Sequence, residues 1–306
     1  MDHLTHPLTE RLEALAGKKH AEFAARPDLS ACALTGSLPR GMVWDGSDLD
    51  FHGYWDQDDD DFIDGTDDGI YWEIDIEPLD GLTVDAAELV EAPPFSNEQF
   101  GDTVLEVLWG ARVLFDRDGT LTEAVRLVDG LSADRAWLNR RAHNYLRYAR
   151  ETLDALNTAD PTRAILDARR LSIVYGVNAY WNKQGKLFSS AIRIPERLSD
   201  QPDIHALFRA IWNLDGQRGW DAFYSTYQTF PPHIREEADP DVLREILPAV
   251  QLGMADGGLC HFRFIAEGWL PLDEVETVMG FEPDREAQKV RVLRQTGDFL
   301  DRITRS

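Results

Sequence analysis

Basic residues, cysteines and long apolar runs are all scarce in this chain of 306 residues. Only five residues are lysine, and 31 Lys and Arg stand against 55 Asp and Glu, which gives a formal net charge of -24. A surface this acidic repels polyphosphate and attracts cationic partners. We therefore expect no stable partner among nucleic acids.

The two cysteines, Cys32 and Cys260, lie far apart in mostly apolar sequence. This spacing argues against a disulfide framework or a zinc cluster and makes a reducing cytoplasm the expected compartment. No stretch approaches the roughly 18 uninterrupted apolar residues that a bilayer span requires. The N-terminal stretch also lacks the basic start and apolar run of a signal peptide. We expect a cytoplasmic protein without a membrane partner, and the sequence leaves its oligomeric state open.

The pattern of the chain changes near residue 130, where we place a domain boundary between residues 1–130 and 131–306. Four short strand patterns precede the boundary, separated by helical stretches and by an acidic segment, 56–68, that we expect to be a solvated loop. Long helical patterns follow the boundary. The sequence therefore predicts an α+β protein, with a small mixed β-sheet domain followed by an all-helical domain. The strand patterns cover residues 31–35, 48–55, 70–79 and 112–115.

The first two strand patterns carry the residues most suggestive of chemistry. A buried strand ends in the tight turn Gly36-Ser37, whose backbone N–H groups could donate to a phosphate. The next strand begins with Asp48 and Asp50, which a period of two places on the same face. Two carboxylates so close repel each other unless a cation lies between them, and magnesium prefers a few carboxylates together with phosphate oxygens. This pattern predicts a magnesium site.

The third strand pattern alternates acidic and apolar residues. Glu73, Asp75 and Glu77 share one face, and a carboxylate there could complete a metal site or take a proton from an acceptor. The alternative is that Asp48 and Asp50 cap a turn while this strand shows a solvated acidic face.

Together these residues resemble a known signature. Gly36-Ser37, followed by Ser47-Asp48-Leu49-Asp50-Phe51, looks like the Gly-Ser plus Asp-x-Asp signature of the polymerase-beta-like nucleotidyltransferase superfamily. The resemblance implies that the turn contacts a triphosphate and that Asp48 and Asp50 bind two magnesium ions. In the aminoglycoside-modifying branch the third strand carries a glutamate that acts as a base, which Glu73-Ile74 resembles. Asp75 fits the general pattern of the superfamily equally well, so both remain candidates for the base and for a metal ligand.

A second resemblance lies in the helical half. The segment 177–181, followed by Lys186, is similar to a helix of the kanamycin-type and streptomycin-type nucleotidyltransferases, in which a lysine lies near the nucleotide. A triphosphate needs cations beyond magnesium, and Lys183, Lys186 and Arg40 are the candidates for nucleotide binding. The expected co-substrate is an NTP, with ATP as the first choice.

The resemblance implies a magnesium-dependent enzyme that moves a nucleoside monophosphate from an NTP to a hydroxyl of a small acceptor. An aminoglycoside-like cationic sugar suits the acidic surface, which would make the activity an antibiotic modification. One alternative is a toxin-like nucleotidyltransferase that acts on tRNA or protein, and another is a noncatalytic binding protein on the same fold. A third is a haloacid-dehalogenase-like phosphatase that uses Asp116, although the helical sequence after Ser132 does not fit the parallel sheet of that class.

Overall fold

The computed structural model describes residues 6–82, 84, 87–91, 103–187 and 191–306. These residues form two compact units. The first contains the described residues of Met1–Leu89 and Asp102–Trp137, and the second those of Val90–Gly101 and Leu138–Ser306. In the part of the chain that the structure describes, no helix is both long and apolar enough to cross a membrane.

The strands all lie in the first unit, and most of the helices lie in the second. The strands are β1 (Leu29–Leu34), β2 (Leu49–Trp55), β3 (Asp61–Asp67), β4 (Ile70–Pro78) and β5 (Arg112–Asp116). The helices are α1 (Thr9–Ala24), α2 (Thr103–Leu108), α3 (Thr120–Ala133), α4 (Arg135–Ala155), α5 (Pro161–Leu171), α6 (Asn178–Lys183), α7 (Ile194–Leu198), α8 (Pro202–Trp212), α9 (Gly216–Tyr227), α10 (Pro232–Asp241), α11 (Leu247–Gln251), α12 (Ala255–Trp269), α13 (Leu272–Val275) and α14 (Arg285–Arg305).

The five strands form one mixed sheet in the order β3-β4-β2-β1-β5. Strands β2 and β4 are parallel, and the other neighbouring pairs are antiparallel. The parallel pair is possible because the chain between β2 and β4 includes β3, which carries it back along the sheet. A small mixed sheet followed by a series of helices is an α+β architecture, so the predicted fold class is confirmed.

The acidic segment predicted as a loop contains an unexpected strand. Residues Asp61–Asp67 form β3, which pairs antiparallel with β4 through the two-residue connection Asp68-Gly69. Both connecting residues have positive φ, at 52° and 74°, as a tight hairpin turn requires. The turn residues and the partner strand therefore outweigh the low strand propensity of a segment rich in aspartate.

The core of the first unit lies between α1 and one face of the sheet. Apolar side chains of α1, such as Leu12 and Phe23, pack with Leu34, Phe51 and Ile74 of the strands. Because side chains alternate across a strand, this packing leaves the polar residues of β2 and β4 on the opposite face. The apolar alternation of these two strands therefore positions the candidate site.

A buried lysine joins α1 to the β3–β4 hairpin. Lys19 is only 4% exposed, and its Nζ lies 2.8 Å from Asp67 Oδ2 and 3.6 Å from the centroid of the Trp72 ring. Lys18 Nζ contacts the other oxygen of Asp67 at 3.0 Å. The hydrogen bonds from Lys19 and then Lys18 lower the pKa of Asp67 from 3.8 to about 2.

The second unit contains an irregular turn between two helices that follow each other directly. Between α5 and α6, residues Ser172–Val177 form a π-helical turn. A Cβ atom at Gly176 would lie 2.6 Å from the Phe299 ring, so only glycine allows α14 to pack this closely at the turn.

We expect Asp67→Asn to destabilise the protein at neutral pH, because the neutral amide loses the charge-assisted contacts with both lysines. The pKa of Asp67 is lower in the folded chain than in the unfolded chain. Its stabilising contribution is therefore complete above pH 3.8 and is lost as the pH falls toward 2. Urea unfolding at pH 7 and at pH 3 should show a larger difference between wild type and variant at pH 7.

The exposed Asp58→Asn is the matched control, because it removes the same charge from the neighbouring loop. Equal effects of the two substitutions at pH 7 would contradict the role given to Asp67.

Candidate active site

The parallel pairing of β2 with β4 brings the predicted acidic residues side by side. Asp50 is paired with Glu73, and His52, two residues further on, is paired with Asp75. Paired residues of neighbouring strands point to the same face, so these four side chains lie together opposite the apolar core. Asp48 lies immediately before β2 and is partly buried. The register therefore places acidic residues of β2 and β4 at neighbouring positions of one face.

The glycine of the Gly36-Ser37 turn lies directly against the carboxylate of Asp50. Gly36 has φ of +71°, and a Cβ at this position would overlap Asp50 Oδ2 and lie 2.9 Å from Asp50 Cγ. The backbone N–H and the hydroxyl of Thr35 both donate to Asp50 O, at 2.8 Å and 3.3 Å. The turn is thus fastened to β2 at Asp50, and glycine is required there by conformation and by space.

A serine pair closes the loop between this turn and β2. Ser37 and Ser47 share a hydrogen bond between their hydroxyl groups, 2.9 Å long. Ser47 Oγ also accepts from the N–H of Trp44 at 3.0 Å, and the N–H of Ser47 donates to Trp44 O at 3.0 Å. The loop is therefore ordered by its own residues, which fixes the Ser37 hydroxyl and holds Asp48 at the start of β2.

Arg40, predicted as a nucleotide-binding residue, is anchored at the end of α2. Its guanidinium donates from Nε to Trp109 O at 2.8 Å and from NH2 to Val107 O at 3.4 Å. The guanidinium carbon lies 5.2 Å from the centroid of the Trp109 ring. These contacts hold a positive charge near His52, whose pKa that charge helps to lower. The site therefore combines a row of acidic side chains with one fixed cation.

His52 is a largely enclosed polar side chain of this face. Its side chain is 13% exposed, and burial, followed by the charge of Arg40, lowers the pKa of His52 from 6.5 to about 4. The imidazole is therefore neutral at pH 7. Its Nε2 lies 3.8 Å from Asp75 Oδ2, whereas its buried Nδ1 hydrogen-bonds to no atom in the part of the chain that the structure describes. A buried polar atom without a hydrogen bond lowers the stability of a folded protein by about 1–3 kcal/mol.

Burial also affects the carboxylates of β4. It raises the pKa of Asp75 above 3.8. The pKa of Glu77 is raised above 4.5 by burial first, and then by the charges of Asp75 and Asp60. A carboxylate that is partly buried, as Asp75 is, or that lies near other carboxylates, as Glu77 does, favours a cation or a hydrogen-bond donor as a neighbour.

The carboxylates that the register brings together suit a hard cation such as magnesium. Among the described residues, no three His, Cys, Asp or Glu side chains converge into a ready-made metal cluster. Magnesium does not require such a cluster, because it is usually bound by one or two carboxylates and completes its octahedron with water and phosphate oxygens. Asp50 and Glu73 supply two carboxylates at one register position, so the donor set fits magnesium.

The two lysines predicted to bind nucleotide lie in the second unit and differ in their contacts. Lys183 Nζ donates to Ile303 O and to Thr304 O, each at 2.8 Å, near the C-terminal end of α14. Lys186 Nζ lies 5.7 Å from the centroid of the Trp181 ring on an exposed part of the chain. Lys183 therefore has a structural task, whereas Lys186 is the more accessible ammonium group.

Asp116, the alternative phosphatase nucleophile, caps a helix. One carboxylate oxygen accepts from the N–H of Gly119 at 3.0 Å. The other accepts from the N–H and the hydroxyl of Thr122, at 2.8 Å and 2.7 Å. These bonds fix the first turn of α3, and β5 is antiparallel to its neighbour β1. The structure therefore favours capping over nucleophilic attack for Asp116.

Two features of this face were missed by the sequence interpretation. The partnership of Ser47 with Ser37 could have been suspected, because small hydroxyl residues often close loops beside a glycine turn. The pairing of His52 with Asp75 could not, because it depends on β2 and β4 being parallel, and the intervening β3 was not predicted.

We expect Gly36→Ala to destabilise the fold by more than the cost of a positive φ alone, which is about 1–3 kcal/mol for a residue with a side chain. Gly41→Ala is the matched control, because Gly41 has φ of +65° but an added Cβ there meets no atom within 4 Å. The measurement is the free energy of unfolding in urea for both variants.

Replacing Asp50 with alanine in the Gly36→Ala background should recover the excess loss, because the new methyl group then meets no carboxylate. The double-mutant cycle tests this contact directly. Additive effects of Gly36→Ala and Asp50→Ala would contradict the contact between the turn and the carboxylate.

Comparison with known proteins gives no family assignment. No family model and no curated protein matches the chain. Among solved structures, the chain is similar to the crystal structure of a nucleotidyltransferase-like protein from Exiguobacterium sibiricum. The identity is 11%, the match covers 96% of this chain and 91% of that chain, and the TM-score is 0.30. Because a TM-score this low carries no argument about activity, the function has to be argued from the residues of the site.

Proposed function

We propose that the chain is a magnesium-dependent nucleotidyltransferase, which transfers a nucleoside monophosphate from an NTP to a hydroxyl group of a small acceptor. The observation that carries the proposal is the register position at which Asp50 and Glu73 lie side by side, with Gly36 against the Asp50 carboxylate. A carboxylate pair beside a glycine-serine turn suits a metal-bound triphosphate. ATP is the first NTP to test, and the involvement of two ions stays a prediction.

In the proposed reaction, the oxygen of the acceptor hydroxyl forms a bond to the α-phosphorus of the NTP. The bond between that phosphorus and the bridging oxygen of pyrophosphate breaks, and pyrophosphate leaves with the electron pair. The proton of the hydroxyl group passes to a carboxylate of β4. A magnesium ion held by Asp50 and Glu73 would supply positive charge for binding the triphosphate and for balancing the charge of the leaving pyrophosphate.

The residues of the chain have separate tasks in this proposal. Asp50, with Asp48 beside it, holds the metal, and Glu73 joins them from β4. Ser37, kept in place by its bond to Ser47, offers its backbone and hydroxyl group to the triphosphate. Arg40 supplies a fixed positive charge at the same face. The tasks follow from where each side chain is held and from the donors or charges that it carries.

The acidity of the chain supports a cationic acceptor. The net charge of -24 favours the approach of a positively charged molecule over that of a polyanion such as tRNA. The half-buried carboxylate of Asp75 and the exposed carboxylate of Glu77 could pair with ammonium groups. An amino sugar of the aminoglycoside kind therefore fits the proposal, and antibiotic modification is the activity to screen first.

The proposal predicts magnesium-dependent binding of at least one NTP by the purified protein. Asp50→Asn should weaken that binding about tenfold or more, because the amide replaces a charged metal ligand. Isothermal titration with each of the four NTPs, with magnesium and with EDTA, measures the effect.

Asp58→Asn is the control, since it removes an equal charge from an exposed loop position and should leave the affinity unchanged. Absence of NTP binding by the wild-type protein, or unchanged affinity in Asp50→Asn, would overturn the proposed function.

The two lysines should give opposite results. Lys186→Ala should weaken NTP binding severalfold and leave stability unchanged, because its ammonium group is accessible to a phosphate. Lys183→Met should lower the free energy of unfolding by about 1 kcal/mol, because two backbone carbonyl groups lose a charged donor. Thermal denaturation and NTP titration of both variants separate the two effects, and a loss of affinity confined to Lys183→Met would reverse the assignment.

A further inference from the structure

Glu73 and Asp75 both lie on the polar face of β4, but they have different neighbours. Glu73 is paired with Asp50, whereas Asp75 is paired with His52. Glu73 is therefore the β4 carboxylate placed to share a ligand with Asp50, whereas Asp75 lies one register step further along, beside His52.

In the contact between His52 and Asp75, the donor and the acceptor can be assigned. An ionised carboxylate can only accept a hydrogen bond, so the imidazole is the donor in this contact. The ring nitrogen that faces Asp75 is Nε2, at 3.8 Å from Oδ2. The other ring nitrogen, Nδ1, is buried and has no partner among the described residues. The separation exceeds a hydrogen bond by less than 1 Å, a gap of the size that closes when a substrate binds.

We propose that the two β4 carboxylates have different tasks. Glu73 shares the magnesium ion with Asp50, and Asp75, oriented by His52, accepts the hydrogen bond of the acceptor hydroxyl group. This inference rests on the proposed function. His52 is a positioning residue in this scheme, because it acts through the carboxylate of Asp75.

In this scheme, the metal ion and the acceptor hydroxyl group are bound at different positions along the sheet. Gly36 presses against Asp50 at the end of β2 where the glycine-serine turn lies, so the triphosphate end of the site is at Asp50 and Glu73. His52 and Asp75 are one register step further from that turn. An acceptor that lies along β4 from Asp75 also meets Glu77, which is a further, exposed carboxylate for a cationic group.

The first experiment measures binding without turnover. Manganese is titrated alone, followed by its electron paramagnetic resonance signal, and the best-binding NTP is then titrated with magnesium. Glu73→Gln should weaken both affinities about tenfold or more, as a lost metal ligand does. Asp75→Asn should leave both within a factor of about three of wild type. Asp58→Asn is the matched control, because it makes the same carboxylate-to-amide change at an exposed loop position.

The second experiment measures turnover with water in place of the acceptor hydroxyl group, as the release of pyrophosphate from the magnesium-bound NTP. Asp75→Asn should lower the rate about 100-fold at saturating NTP, which is within the range for a lost group that orients a reacting hydroxyl. His52→Ala should lower it about tenfold. His52→Gln should recover part of that loss, because the amide can donate near the position of Nε2.

The outcomes distinguish this inference from the function on which it rests. If the wild-type protein binds no NTP, or if Asp50→Asn binds it normally, the proposed function fails and the inference fails with it. If Asp50→Asn and Asp75→Asn lose manganese equally while Glu73→Gln retains it, the function stands and the tasks are reversed. If Asp75→Asn matches Asp58→Asn in both experiments, Asp75 has no part in the reaction and the inference is overturned.

Discussion

The contact between the Gly36 turn and Asp50 is the constraint on which the candidate site depends. The turn has to reverse the chain at the end of β1, and it does so while pressing its Cα against the carboxylate of the neighbouring strand. Thr35 fastens the same position through the backbone of Asp50. Because Asp50 is also paired with Glu73 on the other side, one residue fixes the relation of three strands. The geometry of the acidic row follows from that residue.

The candidate site depends equally on the parallel alignment of β2 and β4, which β3 makes possible. An antiparallel hairpin between β2 and the next strand would have placed different acidic residues opposite Asp50. The acidic segment instead supplies β3, so that β4 enters the sheet parallel to β2. The hairpin is then secured against α1 by the buried Lys19 between Asp67 and Trp72. One of the five lysines of the chain is thus used to position the acidic face.

Much of the fold could be predicted because its signals are local. The alternation in β2 and β4 and the long helical periodicities depend on neighbouring residues in the sequence. β3 was missed because the strand propensity of an aspartate-rich segment is low, and the partner strand that overrides it lies outside any local window. Pairing between distant strands is also the reason why only part of the site could be predicted. The residue types at positions 36, 48, 50 and 73 suggested a metal centre, whereas the task of His52 depends on a register that only the sheet reveals.

The negative charge of the chain affects how a triphosphate could bind in the proposed reaction. A triphosphate and a row of carboxylates repel each other, and Arg40 is one fixed cation at this face. The guanidinium of Arg40 alone does not balance both sets of charges, and a divalent cation bound with the triphosphate would supply the remaining positive charge. The electrostatics of this face are therefore in keeping with the magnesium dependence that we propose. The same acidity that excludes a free polyanion would draw a cationic acceptor toward the carboxylates beyond the metal, so one surface property can select both substrates.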